Sequence, residues 1–248
     1  MLACRIIPVV LSRGHEAVKG KGFDSWRSVG QVRQAIRVYQ MRNVDELILL
    51  NIAATPQGKE PDFAFVQEFA GECFMPVTVG GGVRTLDHFR QLLKHGADKV
   101  AINTVACEHP AIIAAAAEKF GRQAVTVSID VKDNEVFTRC GTQATGLHPV
   151  EWARECERLG AGEILLTSID RDGTLAGYDT ALVRSVSGAV SVPVVACGGA
   201  GTYQHLKEGL DAGAHAVAAG ALWTFTDATP RGAARYLATQ GYHTRIAA

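Results

Sequence analysis

Pro76-Val77-Thr78-Val79-Gly80-Gly81-Gly82 returns later in the chain as Pro193-Val194-Val195-Ala196-Cys197-Gly198-Gly199. Gly81 and Gly198 stand 117 residues apart (198 − 81), close to half of the 248-residue length. The correspondence runs on through Thr85 and Thr202, His88 and His205, Gly96-Ala97 and Gly213-Ala214, and Val100-Ala101 and Val217-Ala218. It also runs back to Glu46 and Glu163. Self-similarity at a fixed offset marks a chain assembled from two structural repeats. Each copy is a short β-branched run, then glycines, then an amphipathic stretch, so the unit alternates strand with helix.

Around this repeat, eight strand-like runs fall at residues 5–10, 46–52, 77–79, 99–102, 124–130, 163–168, 194–196 and 216–219. Helical patterns lie between them, at residues 86–94, 110–120 and 149–159. Strands separated by helices imply a parallel sheet. Several runs are apolar throughout, as expected where both faces of a sheet are covered. Two four-stranded halves closing on each other predict an α/β fold of the (β/α)8 or TIM barrel type. The repeat favours that over an open doubly wound sheet, and the length suits such a barrel of about 250 residues. No Pro/Gly/Ser-rich linker interrupts the pattern, so residues 1–248 are read as a single domain.

Composition narrows the function. Hydrophobic residues make up 47% of the chain, enough for a large core. Lys plus Arg and Asp plus Glu are both 25, leaving no net charge to hold nucleic acid or an anionic membrane. A phosphorylated small molecule needs only a local patch. No apolar run approaches the roughly 20 residues of a membrane span. The start of the chain enters a strand-like run without a signal-peptide pattern. The cysteines (Cys4, Cys73, Cys107, Cys140, Cys156 and Cys197) form no CxxC pair and no zinc spacing. Reduced thiols in a cytoplasm are the expectation, with no metal and no cofactor.

Barrel active sites lie at the C-terminal ends of the strands. Gly80–Gly82 ends the third strand and Gly198-Gly199 the seventh, each just before a helix. Glycine lets backbone N–H groups approach an anion closely, and a helix N-terminus favours negative charge. Asn103-Thr104 ends the fourth strand with side chains able to donate to phosphate. Ala219-Gly220-Ala221 ends the eighth with little side chain to cover its amides. The plainer account is two tight strand-to-helix turns. A symmetric pair favours phosphate instead, and a substrate with a phosphate at each end.

Two longer phrases carry a family resemblance. Glu163-Ile164-Leu165-Leu166-Thr167-Ser168-Ile169-Asp170-Arg171-Asp172-Gly173-Thr174, followed by Gly177-Tyr178-Asp179, is one. Val79-Gly80-Gly81-Gly82-Val83, with Gly96-Ala97-Asp98-Lys99-Val100 and Ile102-Asn103-Thr104, is the other. Together with Met1-Leu2-Ala3 and Arg5-Ile6-Ile7-Pro8, they resemble the HisF family, the cyclase subunit of imidazole glycerol phosphate synthase. The likeness extends over nearly the whole length.

That resemblance implies a lyase subunit of histidine biosynthesis. A HisH-like glutaminase docks on the N-terminal barrel face and releases ammonia. The ammonia crosses the barrel to a bis-phosphorylated ribonucleotide, giving imidazole glycerol phosphate and an aminoimidazole carboxamide ribotide. It further implies phosphate binding by Lys19, Gly82, Asn103, Thr104, Asp172, Gly173, Gly199 and Gly220. Arg5, Glu46, Lys99 and Glu163 would form a charged ring gating the ammonia passage, and Asp98 would touch the glutaminase. The plainer account of the ring is stabilising salt bridges, weakened because buried charges are costly.

The family uses two aspartates as general acid and base, at the ends of the first and fifth strands. A pair suits ammonia addition, elimination and ring closure, each of which moves protons. Asp130 supplies the fifth-strand acid. Leu11 stands in place of the first, and the internal repeat marks the same gap, since Leu11 falls 119 residues before Asp130 (130 − 11). Leucine cannot carry a proton, and the Ser12 hydroxyl is too basic to take one unaided. Asn51 replaces a usual aspartate, Cys197 a usual serine, and Gly220 a phosphate-holding serine. The loss at Gly220 predicts that the second cradle is the weaker. The loop Gly20-Lys21-Gly22-Phe23-Asp24-Ser25-Trp26 keeps only part of the family pattern.

These departures predict a paralogue that pairs with a glutaminase and conducts its ammonia to another acceptor, one that a third, amidotransferase protein could hold. The resemblance offers a precedent in acetamidino sugars made for bacterial surface polysaccharide. The alternative is an authentic synthase in which another group replaces the first-strand acid. A phosphosugar isomerase of the sister barrel ranks last, because it needs the same two acids and has no use for the ring.

Overall fold

A computed structural model describes residues 3–245, so Met1-Leu2 of the resembling N-terminal phrase lie outside the described residues. The strands are β1 (Arg5–Arg13), β2 (Glu16–Lys21), β3 (Asp24–Gln31), β4 (Leu47–Asn51), β5 (Val77–Gly80) and β6 (Lys99–Ile102). They continue as β7 (Val125–Lys132), β8 (Glu135–Thr138), β9 (Gln143–Ala144), β10 (Glu163–Ser168), β11 (Val194–Cys197) and β12 (Ala216–Ala219). The helices are α1 (Val32–Met41), α2 (Phe63–Ala70), α3 (Leu86–Lys94), α4 (Thr104–Glu108) and α5 (Ala111–Phe120). After them come α6 (Pro149–Arg158), α7 (Thr180–Ser187), α8 (Tyr203–Asp211), α9 (Ala221–Phe225) and α10 (Pro230–Thr239).

β1, β4, β5, β6, β7, β10, β11 and β12 pair in that order, every pair parallel, and β12 returns to β1 with Arg5 opposite Ala216. The sheet therefore closes into the (β/α)8 barrel that the repeat predicted. Alternate residues face opposite sides of a strand. Ile7, Val9, Ile48, Leu165, Val195, Ala216 and Ala218 fill the barrel interior as one apolar cluster. Their neighbours Ile6, Val10, Leu47, Leu49, Val77 and Val79 face outward into a second cluster beneath the helices. Each fully buried aliphatic side chain contributes roughly 1.5–3 kcal/mol. Among the described residues no helix is long and apolar enough to cross a membrane.

The repeat extends to individual hydrogen bonds. Asp62 caps α2 by accepting from Phe65 N–H at 2.9 Å; Asp179, 117 residues on, caps α7 by accepting from Leu182 N–H at 2.9 Å. Thr85 and Thr202 cap α3 and α8 by accepting from His88 N–H and His205 N–H. The two histidines accept in turn from Arg84 N–H and Gly201 N–H, at 3.2 and 3.1 Å.

One feature departs from the loop expected after the first strand. β1 runs to Arg13, turns at Gly14-His15 into β2, and turns again at Gly22-Phe23 into β3. Gly14 has φ +60°, and Gly22 and Phe23 both have φ +60°, the backbone that two-residue hairpin turns demand. β7 likewise turns into β8 through Asp133 (φ +48°) and Asn134 (φ +63°). Each half of the barrel thus carries a hairpin on its own first strand.

Candidate functional site

At the N-terminal mouth, Arg5, Lys99 and Glu163 open β1, β6 and β10, and Glu46 immediately precedes β4. All four side chains meet. Arg5 binds Glu46 at 2.8 Å and Glu163 at 2.7 Å; Lys99 binds the same two carboxylates at 3.1 Å each. Each cation holds both anions, so the set closes into a four-membered cycle. Such pairing is needed to offset the cost of taking charges out of water.

Above the cycle most of the interior is apolar, and strand alternation brings in the hydroxyls of Thr78 and Thr167 as well as those of Thr126 and Ser128 on β7. Thr126 Oγ1 lies 3.5 Å from Glu163 Oε1, and Ser128 Oγ donates to Asp130 Oδ1 at 3.1 Å. Glu163, Thr126, Ser128 and Asp130 therefore join the two mouths by polar groups, the last three spaced two residues apart along one strand.

Outside the cycle, the exposed Asp98 accepts from Val77 N–H at 2.8 Å and ties down the start of β5. Two residues that sequence reasoning missed lie on this face: Phe74 is 86% exposed and Met41 79% exposed. Phe74 is held by its N–H, which donates to Gln40 Oε1 at 3.0 Å. Nothing in the local pattern distinguishes them from buried apolar residues.

The C-terminal ends of the strands enclose a cavity of about 130 Å³. Lys19, Gly82, Asn103, Thr104, Asp130, Asp172, Gly173, Gly199, Gly220 and Leu11 all line it. The β2–β3 hairpin crosses the mouth. Its turn is fastened where Gly22 N–H donates to Asp172 O at 2.9 Å. A side chain on Gly173 would overlap the carbonyl oxygen of Gly20, so this contact requires glycine.

Leu11 points inward at the end of β1, paired across the sheet with Leu50. No carboxylate comes from the first strand. Across the cavity, Asp130 is buried, and burial pushes its carboxyl up to about 7 against the opposing hydrogen bonds of Ser128 and Thr167. Burial also raises Asp172 to about 6, although nearby Lys19 favours its ionised form. Lys19 is itself buried and lowered to about 8 by desolvation, with Asp172 acting in the other direction. Its ammonium donates to Val9 O at 2.7 Å. A Cβ at Gly220 would overlap Lys19 Nζ, so the missing serine leaves the room that the lysine occupies.

The two glycine cradles differ. Asn103 Nδ2 already donates to Ser128 O (3.2 Å) and Phe137 O (3.0 Å). Thr104 Oγ1 donates to Asn103 Oδ1 at 3.3 Å and accepts from Arg139 N–H. The side-chain protons expected to face a phosphate are thus turned onto the protein, because β8 and the loop after it lie against them. Gly82 N–H is directed at Thr55 Oγ1, 3.3 Å away. At the second cradle Gly199 and Gly220 share the cavity with the Lys19 ammonium. Asp172 brings a carboxylate there, so its side chain contributes electrostatic balance to Lys19 and no donor while ionised.

Cys140 and Cys197 also line the cavity, their thiols pushed up by burial to about 11 and about 12. Asn51 Oδ1 accepts from Ala53 N–H at 3.1 Å and caps the loop after β4. Among the described residues no cluster of three or more His, Cys, Asp or Glu is arranged to hold a metal ion.

A closed barrel of two half-repeats, with matching glycine turns at the ends of β5 and β11, defines a class. Residues 5–228 match the family described as Histidine biosynthesis protein. The chain is 42% identical over 251 residues to the protein named imidazole glycerol phosphate synthase subunit HisF of Chlorobium phaeobacteroides, covering 99% of this chain and 100% of that one. It is 43% identical, with the same coverage, to the HisF subunit of Chlorobium limicola. The chain belongs to the HisF family.

Proposed function

We propose that this protein takes up ammonia from a glutaminase subunit at its N-terminal mouth and delivers it through the barrel to an acceptor at the C-terminal cavity, without the cyclase step of its relatives. The observation that carries this reading is the pairing of Leu11 with Leu50 where the cyclase chemistry calls for a second proton carrier. One general acid or base is typically worth about 10²–10⁴ in rate. Asp130, raised to about 7, suits a single proton transfer near neutrality but must then be recharged from water.

The intact cycle of Arg5, Glu46, Lys99 and Glu163 supports a retained gate. Lys99 is its longer-bonded member, a point charge on a flexible stem with contacts of 3.1 Å against 2.7–2.8 Å for Arg5. The hydroxyls of Thr126 and Ser128 offer neutral ammonia hydrogen-bonding partners on the way to Asp130. Phe74, Met41 and Asp98 give the N-terminal face an apolar patch with a charged edge, suited to a glutaminase partner. The acceptor is then an anionic small molecule or one presented by a third, amidotransferase protein, as in acetamidino-sugar formation.

The full-length identity to HisF subunits favours a second reading, an authentic cyclase of histidine biosynthesis. Lys19, lowered to about 8 and bonded to Val9 O on β1, is the group that would then replace the absent acid. One experiment separates the two: turnover of the bis-phosphorylated ribonucleotide by purified protein with ammonium salts, beside a Leu11→Asp variant. The first reading expects wild-type turnover at least about 10²-fold below an ordinary HisF subunit. Wild-type turnover near that of such a subunit overturns it and establishes the second.

A further inference from the structure

The walls of the C-terminal cavity have opposite chemistry. Leu11, Leu50 and Ile52, from β1 and β4 and the residue just after it, are each only part-buried and turn apolar surface to the cavity. The hairpin roofs that side with Phe23 and Trp26, whose rings lie 6.4 Å apart. Phe23 reaches far enough across for a Cβ on Gly141 to meet its ring. The facing side carries Asp130 and Thr167, and at its end Lys19 beside Gly199 and Gly220.

The two cradles are unequal partners for a ligand with a phosphate at each end. The first cradle has its side-chain donors turned onto Ser128, Phe137 and Asn103, and its Gly82 amide directed at Thr55. Among the cavity groups described, the buried cation is at the second cradle alone. Between the cradles, one wall is leucine, isoleucine and aromatic ring, and the buried Asp130 carboxyl on the facing wall would repel a second phosphate when ionised. Apolar surface left facing a cavity gains about 25 cal/mol per Å² when a ligand covers it. A small-molecule site of this kind is mostly apolar, with a few polar groups that fix orientation.

We infer that the cavity binds a monophosphate ester of an apolar or aromatic group, with its phosphate at Lys19, Gly199 and Gly220 and its apolar part against Leu11, Leu50 and Trp26. This rests on the proposed function only in taking the cavity as the acceptor end, and it names the acceptor's chemical class. The loss of the first-strand acid then has a second consequence: Leu11 removes a proton carrier and completes an apolar wall.

The test is calorimetric titration of the whole protein with three probes: phenyl phosphate, inorganic phosphate and fructose 1,6-bisphosphate. Phenyl phosphate is expected to bind about tenfold or more tightly than inorganic phosphate, and the bisphosphate no tighter than inorganic phosphate. Trp26→Ala, on the hairpin and outside the barrel core, should lose most of the phenyl advantage and keep phosphate binding. Lys19→Met should lose both. Equal affinity for phenyl and inorganic phosphate, a preference for the bisphosphate, or no binding of any probe overturns the inference. None of these titrations involves ammonia, so they can fail while the turnover experiment supports delivery, and succeed while it does not.

Discussion

At the N-terminal mouth, Arg5 and Lys99 each hold both Glu46 and Glu163; at the C-terminal mouth, the position matched to Asp130 holds Leu11. The two ends of one barrel respond differently to the loss of a charged residue. In a closed cycle every member depends on the others, so removing one leaves a partly buried charge without its partner. An acid at the open end has no such dependants. Leucine there packs beside Leu50, and the fold gains apolar contact. Stability therefore guards the cycle and leaves the acid free to be lost. Function has to be argued from the pair of observations, since the cycle alone would persist as a structural brace.

The charged cycle at the N-terminal mouth should be the part most sensitive to substitution. Glu163→Gln leaves Arg5 and Lys99 sharing one carboxylate, and should cost about 3 kcal/mol, a fall in Tm of roughly 6–12 °C by calorimetry. A change of less than about 1 kcal/mol would mean that mutual dependence among the four charges does not preserve the cycle.

Asp130 is the converse case at the other mouth. Its folded carboxyl is raised to about 7 from an ordinary value near 3.8. The native state therefore binds the proton more tightly than the unfolded one. Its protonated form is favourable at low pH, and that stability is lost as pH rises from about 4 to about 7. Asp130→Asn removes the buried charge and should raise stability at pH 8 by about 1–3 kcal/mol. The gain should vanish at pH 4, and a variant less stable at pH 8 than the wild type would contradict this account of the burial.

Anion binding sharpens the contrast within the C-terminal cavity. Above pH 7 a phosphate monoester is already a dianion, while Asp130 completes its ionisation and Lys19, at about 8, loses its charge. Both changes disfavour the ligand. Affinity for phenyl phosphate should fall roughly tenfold between pH 7 and 9, and Lys19→Arg should flatten the upper part of that fall. Affinity that rises with pH would exclude Lys19 from the anion site.

The smallest effect concerns Gly220. Gly220→Ser puts a side chain where Lys19 Nζ now lies, and the flexible lysine can move aside. Phosphate affinity should change by no more than about 1 kcal/mol, because a hydroxyl replaces part of what the displaced ammonium supplied. A loss of folding, seen in the thermal melt, would mean that the Lys19 position is enforced by the fold.

Much of the barrel is legible in the chain. The offset between Gly81 and Gly198 implies two halves, and the halves agree down to the caps at Asp62 and Asp179. The hairpins are less legible. Asp133-Asn134 is a recognisable two-residue turn, although the strand-helix alternation around it draws attention away. Phe23 at φ +60° gives no such warning, being a residue that seldom adopts that backbone.

The barrel, the end of it on which each residue lies, and the missing first-strand acid can all be read from the order of residues. Strand period and chain order settle these, because side-chain direction alternates and parallel strands all begin at one mouth. It takes the folded molecule to show that Asn103 and Thr104 spend their protons on the protein, that Lys19 lies in the room beside Gly220, and that four charges from four strands close into one cycle. Each depends on the distance between groups far apart in the chain. That distance is set by how the sheet closes and how the hairpins fold across it, and no local pattern in the sequence encodes it.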